Sequence, residues 1–148
     1  MGLMADVGRG PIGLDTAIFI YYLEEHPRYL PLIEPIFAAI DAGRLAAVTS
    51  AVTLLETLVV PYRRGEAPLV GLYEDLLTHS RGLLMVDLER PLLRATAQLR
   101  AVTRVRTPDA LQLTAALTHA CTAFVTNDRN LPDLGGLRVL QLEDYVAK

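Results

Sequence analysis

The chain of 148 residues contains one cysteine, Cys121, and one lysine, the terminal Lys148. A single thiol excludes an internal disulfide framework and any cysteine-based zinc cluster within one chain. With no internal lysine there is neither a Schiff-base amine nor a P-loop lysine, since the other 13 basic residues are all arginine. Long apolar runs are missing too: the longest, Ala17 to Leu23, is far too short to span a bilayer. The start of the sequence has neither the basic stretch nor the apolar core of a signal peptide. Asp6 also breaks the myristoylation pattern that Gly2 opens. His26, His79 and His119 share no metal-ligand spacing. These absences predict a soluble, cytoplasmic protein without a membrane segment.

What is present suits one globular domain over residues 1–148, with 51% hydrophobic and 21% charged residues. The formal charge of −3 gives no overall attraction to nucleic acid. Any RNA contact has to come from a local arginine patch or from metal ions.

The apolar and turn patterns predict alternating strands and helices. Pro11 to Leu14 reads as a short first strand, and Thr16 to Glu25 as a helix stopped by His26-Pro27. Leu32 to Ala42 is a second helix closed by Gly43, and Leu45 to Thr49 a strand. Ser50 caps a helix reaching Tyr62, ended by Arg63-Arg64-Gly65, and Pro68 to His79 is helical. Leu83 to Val86 is a strand, with Asp87 as the N-cap of a helix from Leu88 to about Thr103. Thr107-Pro108-Asp109 opens a helix to about Ala120 with Thr107 as N-cap, and strands follow at Thr122–Thr126 and Arg138–Leu142. This alternation predicts an open, mostly parallel α/β sheet, whose ligands sit beyond the C-terminal ends of the strands. Gly8, Gly10 and Gly13 match G-x-G-x-x-G literally, but the strand comes after the glycines instead of before them, which excludes a dinucleotide site.

Acidic residues fall at that edge. Asp15 follows the first strand, Asp128 follows Val125-Thr126, and Asp109 lies in the first turn of the helix leading into that strand. Glu56 sits inside the otherwise apolar run Thr53 to Val60. A carboxylate buried there without a partner is costly, so an arginine or a metal is expected beside it. Taken singly, Asp15 and Asp109 are ordinary helix-start acids, Asp128 is a turn residue and Glu56 reaches solvent. Taken together, neighbouring carboxylates raise one another's pKa, and a divalent cation is the usual relief. All-oxygen ligation suits Mg²⁺ or Mn²⁺ over zinc.

Gly-Leu-Asp-Thr (13–16), Ser50 with Glu56, Thr-Pro-Asp-Ala (107–110) and Phe-Val-Thr-Asn-Asp (124–128) resemble the four motifs of PIN domains, over about residues 12 to 142. In length the chain is similar to the VapC-type toxins of bacterial toxin–antitoxin pairs. The resemblance implies a three-layer α/β/α fold with a mostly parallel central sheet of four to five strands. It also implies a Mg²⁺- or Mn²⁺-dependent endoribonuclease whose catalytic, metal-binding quartet is Asp15, Glu56, Asp109 and Asp128. Thr126 matches a hydroxyl that supports the last acid, and Thr16 accompanies the first. The implied reaction is hydrolysis leaving a 5′-phosphate and a 3′-hydroxyl, and the implied partner is a small antitoxin covering the acidic groove. The first strand departs from the family's pattern in being less aliphatic.

RNA binding would then rest on arginine: Arg100, Arg104 and Arg106 before Asp109, and Arg63-Arg64 after the Glu56 helix. No exposed aromatic for base stacking is obvious: Tyr21, Tyr22 and Tyr62 are candidates, but core or interface packing is the reading preferred for them. Mean hydropathy is +0.30, and the first two helices carry Phe19, Tyr21, Tyr22, Leu23, Ile33, Ile36 and Phe37. That surplus fits either a generous core or a partner surface, and a homodimer is expected. The alternative is a PIN-like fold acting as a non-catalytic RNA- or protein-binding module, which need not keep four acids. An aspartyl-phosphate phosphatase or receiver domain is excluded by Thr16-Ala17 after Asp15 and by the missing internal lysine.

Overall fold

The computed structural model describes residues 2–147. Five parallel strands form its centre: β1 (Ile12–Leu14), β2 (Ala47–Ser50), β3 (Leu83–Val86), β4 (Ala123–Thr126) and β5 (Arg138–Gln141), in the order β3-β2-β1-β4-β5. Parallel neighbours need long crossovers, and helices supply those up to β4. Ahead of β1 lies α1 (Leu3–Val7); the crossovers carry α2 (Thr16–Leu23) and α3 (Leu30–Asp41), then α4 (Val52–Arg63) and α5 (Ala67–His79), then α6 (Arg90–Val102) and α7 (Thr107–Thr118), while β4 joins β5 without a helix. A 3₁₀ turn, Leu142–Tyr145, follows β5. The three-layer α/β/α expectation holds, with five strands.

Side-chain alternation along the strands builds two cores. Ile12, Leu14, Ala123 and Val125 join Ile18, Phe19, Ile33 and Ile36 on one face. Val48 and Phe124 join Val52, Leu92, Leu111 and Ala116 on the other. The strand that looked weak in sequence, β1, is the middle one. Three residues suffice there because each is fully covered and β2 and β4 pair with it on both sides. Helix α1 was not anticipated; it closes the first core with Leu3 and Val7.

The surplus of apolar residues on α2 and α3 is core, not interface. Phe19, Ile33 and Ile36 are fully buried, Phe19 meets Phe37 edge-on at 5.8 Å, and Tyr22 stacks on Phe37 at 3.8 Å. Helix starts also shift. In α3, α5, α6 and α7 the second residue is proline (Pro31, Pro68, Pro91, Pro108), a place where the missing N–H costs nothing. Thr107 is therefore the first helical residue and Arg106 the N-cap, while Glu89 and not Asp87 occupies the N-cap of α6. Among the described residues, no helix is long and apolar enough to cross a membrane.

Gly13 decides how closely α7 approaches the sheet. A Cβ at this position would lie 2.6 Å from Phe124 Cδ1 and 2.9 Å from Ala116 Cβ. The helix that carries Asp109 thus rests directly on the middle strand. Gly13→Ala is expected to lower stability by about 1–3 kcal/mol through overpacking. Gly71→Ala, on α5 with nothing within 4 Å of its Cβ, is expected to raise it by about 0.5–1 kcal/mol. Urea denaturation of both variants checks the pair.

Candidate functional site

The Asp15 N–H donates to the Val125 carbonyl at 3.1 Å, so the β1–β4 pairing runs one step past Leu14 and delivers Asp15 to the C-terminal edge of the sheet. As N-cap of α2 it accepts the Thr16 N–H on Oδ1 at 2.9 Å. Its Oδ2 accepts the Thr126 hydroxyl at 2.6 Å, and the same Thr126 Oγ1 accepts the Asp128 N–H at 3.0 Å. Thr126 thereby ties the first acid to the last. It meets Asp128 through the backbone and gives its proton to Asp15. The turn reading of Asp128 is also realised, because its Oδ1 accepts the Asn130 N–H at 2.9 Å. Gln141 Nε2 holds the Asp128 carbonyl at 2.9 Å.

Burial is the main cause that raises the Asp15 pKa above the ordinary carboxylate value; the Thr126 and Thr16 hydrogen bonds oppose it, and the charges of Glu56 and Asp128 add to it. Asp109 is raised as well, by burial first, then by Asp15 and Asp128, with Arg106 opposing. The charges of Glu56 and Asp128 are thus felt at Asp15, and those of Asp15 and Asp128 at Asp109.

Glu56 is not where the apolar run suggested. It is exposed, because α4 is covered only on one side and leaves Leu55 (65%) and Tyr62 (64%) open to solvent. Its partner is neither arginine nor a buried site; Oε1 accepts the Thr16 hydroxyl at 2.7 Å. The buried polar side chain is one that the sequence reading passed over. Gln112 is 2% exposed, between Leu111 and Leu113 on α7. It accepts the Ser50 N–H and donates to Thr16 and Thr53. The anomaly argued for Glu56, a polar residue in an apolar helical run, was the signal that pointed to it.

A polar cleft of about 430 Å³ opens beside the acids, lined by Arg104, Arg106, Asp109, Asp128, Asn130 and Leu131 among others. Arg100 does not line it: its Nε donates to the Val105 carbonyl at 3.1 Å and braces the loop between α6 and α7. Arg63 and Arg64 lie at the far end of α4, where Arg64 faces Glu66 at 4.0 Å, and they do not line the cleft either. Of the tyrosines, Tyr62 is exposed, whereas Tyr21 packs on His26 and Tyr29 and Tyr22 on Phe37. Cys121 is buried, which pushes its thiol up to about 11 and leaves it a small apolar residue.

Among the described residues, no group of three or more His, Cys, Asp and Glu side chains is gathered in a form that could hold a metal ion. The donor chemistry fits one nonetheless. The acids offer oxygen only, and two of them, Asp15 and Asp109, carry pKa values raised first by burial and then by neighbouring carboxylates, a repulsion that a hard divalent cation relieves.

Asp15 and Asp128 lie just beyond the C-terminal ends of β1 and β4, the edge at which open α/β sheets bind their ligands. The chain belongs to the PIN domain family, whose model matches residues 12–137. Solved structures share the fold. VapBC2 from Rickettsia felis, bound to a DNA fragment from its promoter, is 17% identical, with a TM-score of 0.66 over 88% of this chain and 97% of that one. DNA-bound VapBC from Salmonella typhimurium is 21% identical, with a TM-score of 0.62 over 88% and 97%. A toxin–antitoxin complex from Klebsiella pneumoniae is 18% identical, with a TM-score of 0.62 over 85% and 93%. Among curated proteins, none matches this chain by sequence.

The raised pKa of Asp109 has a sign that can be measured. The folded state holds that proton more tightly than the unfolded chain does, so stability is lost as pH rises through the folded pKa. Asp109→Asn should therefore melt a few degrees above wild type at neutral pH. The gain should vanish near pH 3, roughly below both carboxylate pKa values. Thermal melts at the two pH values decide it.

Proposed function

We propose that this chain is a metal-dependent endoribonuclease, the cytoplasmic toxin of a toxin–antitoxin pair, working as one PIN domain. In this reading Asp15, Glu56, Asp109 and Asp128 hold Mg²⁺ or Mn²⁺. The observation that carries it is the charge of Asp15 and Asp128 felt at Asp109, at an edge that opens into a cleft flanked by Arg104 and Arg106. The toxin–antitoxin complexes that share the fold support the biological role.

The chain's residues divide the work. Thr126 and the Thr16 N–H fix the Asp15 carboxylate and leave it further lone pairs for a cation. Arg104 and Arg106 bind backbone phosphates and set the RNA against the acids. Held there, a divalent cation would lower the pKa of a water and offset charge on the phosphoryl oxygens. In the proposed hydrolysis the water oxygen bonds to phosphorus as the P–O3′ bond breaks; one water proton goes to O3′ and the other stays on the new phosphate or passes to solvent, which gives a 5′-phosphate and a 3′-hydroxyl. Leu55, Val59 and Tyr62 form an exposed apolar strip along α4 beside Glu56. This strip is the seat we assign to the antitoxin, which there overlies the site. A homodimer of the isolated chain belongs to the same proposal, and light scattering at micromolar concentration reads it directly.

The non-catalytic alternative is favoured by one observation, the lack of an assembled metal group among the described residues. Incubation of structured RNA with the purified chain separates the two. Cleavage should need Mg²⁺ or Mn²⁺, stop with EDTA, and fall by about a hundredfold or more in Asp109→Asn. RNA binding without cleavage, and without Mn²⁺ uptake in calorimetry, establishes the binding module. Arg104→Ala and Arg106→Ala should each weaken RNA binding regardless of sequence and reduce the salt slope by about 1.

A further inference from the structure

Beneath the acidic edge lies a set of hydrogen bonds centred on the Gln112 amide, whose orientation the backbone fixes. Gln112 Oε1 accepts the Ser50 N–H at 3.0 Å, so its Nε2 must face the other way; a reversed amide would set two donors against each other. The two Nε2 protons go to Thr53 Oγ1 at 2.6 Å and Thr16 Oγ1 at 3.1 Å. The Thr49 hydroxyl lies 2.9 Å from the Leu14 carbonyl and 3.2 Å from Gln112 Oε1, and it shares a hydrogen bond with Thr53 Oγ1 at 2.7 Å. Thr16, its oxygen occupied by the amide, has one proton left and directs it to Glu56 Oε1 at 2.7 Å.

We infer that Gln112 is a positioning residue. Through Thr16 it orients Glu56, the exposed member of the four acids, toward Asp15. The inference rests on the nuclease reading for its functional consequence, but the positioning itself is a matter of geometry. The amide is the device that fits. A carboxylate at this position has no protons for Thr16 and Thr53, and an apolar side chain leaves the Thr16 hydroxyl free to turn toward Thr53 Oγ1, 3.2 Å away.

The test compares wild type, Gln112→Leu, Thr16→Val and the double variant. Crystal structures of the metal-free proteins should show the Thr16–Glu56 hydrogen bond lost in Gln112→Leu. Mn²⁺ affinity by calorimetry should fall about tenfold or more, the usual effect of removing a residue that orients a ligand. The double variant should bind Mn²⁺ no worse than Thr16→Val, because both changes cut the same chain of contacts. Additive losses mean that Gln112 acts through general packing, and they overturn the inference. So does an intact Thr16–Glu56 contact in Gln112→Leu. If Gln112→Leu does not fold, Thr16→Ser and Thr16→Val carry the test. Serine should keep the Glu56 contact and the affinity, valine should lose both, and equal affinities overturn the inference. Wild type that neither takes up Mn²⁺ nor cleaves RNA defeats the nuclease reading alone, and the crystal structures still decide the positioning.

Discussion

Carboxylates gathered at one place repel each other, and this protein gathers them where water is partly excluded. Everything around the edge answers that constraint. Because Leu14 pairs with Val125 in the β1–β4 register, the residues one step further, Asp15 and Thr126, come out side by side. The acid and the hydroxyl that steadies it thus share an origin in strand pairing. Asp15 also sits at the start of α2, where backbone N–H groups and the helix dipole favour negative charge. Asp109 has weaker shelter, opposed only by Arg106 among the causes that act on it.

The four acids are not equivalent. Asp15 and Asp128 are held by the sheet and its turn, and Asp109 by a helix seated on β1 through Gly13. Glu56 stands on the outer wall of α4, with a hydroxyl contact in place of a backbone one. It is the member whose place depends most on side chains. The cleft that Asp109 and Asp128 line, and Glu56 does not, also carries Arg104 and Arg106, so a chain of net charge −3 still presents basic side chains next to its acids.

The legible parts of the sequence were those set by local chemistry. Leu83 to Val86 was recognisable as a strand because four apolar residues lie between turn signals. Asp15, Asp109 and Asp128 could be placed at one edge because each follows a strand or opens a helix, and a parallel sheet puts all such points on the same side. The illegible parts depend on what covers a face. Phe19, Ile33, Ile36 and Phe37 looked like surplus because nothing in their spacing shows α2 and α3 packing on each other and on α1. Glu56 and Gln112 each interrupt an apolar run, yet one is exposed and one is buried, since α4 lies at the rim and α7 beneath the sheet. Arg100 could not be told from Arg104 until the loop it braces was seen.

The strand order carries a consequence for how the molecule comes into being. β1 lies at the centre, but it is made first and both of its neighbours are made later, β4 well into the last third of the chain. Asp15 leaves the ribosome long before Thr126 exists to hold it. Pairing of β1 with β4 has to close a loop of most of the domain, a slow and late event in folding. The acidic edge therefore has no partial form. A nascent chain that stops short of β4 carries Asp15, Glu56 and Asp109 but neither Thr126 nor Asp128.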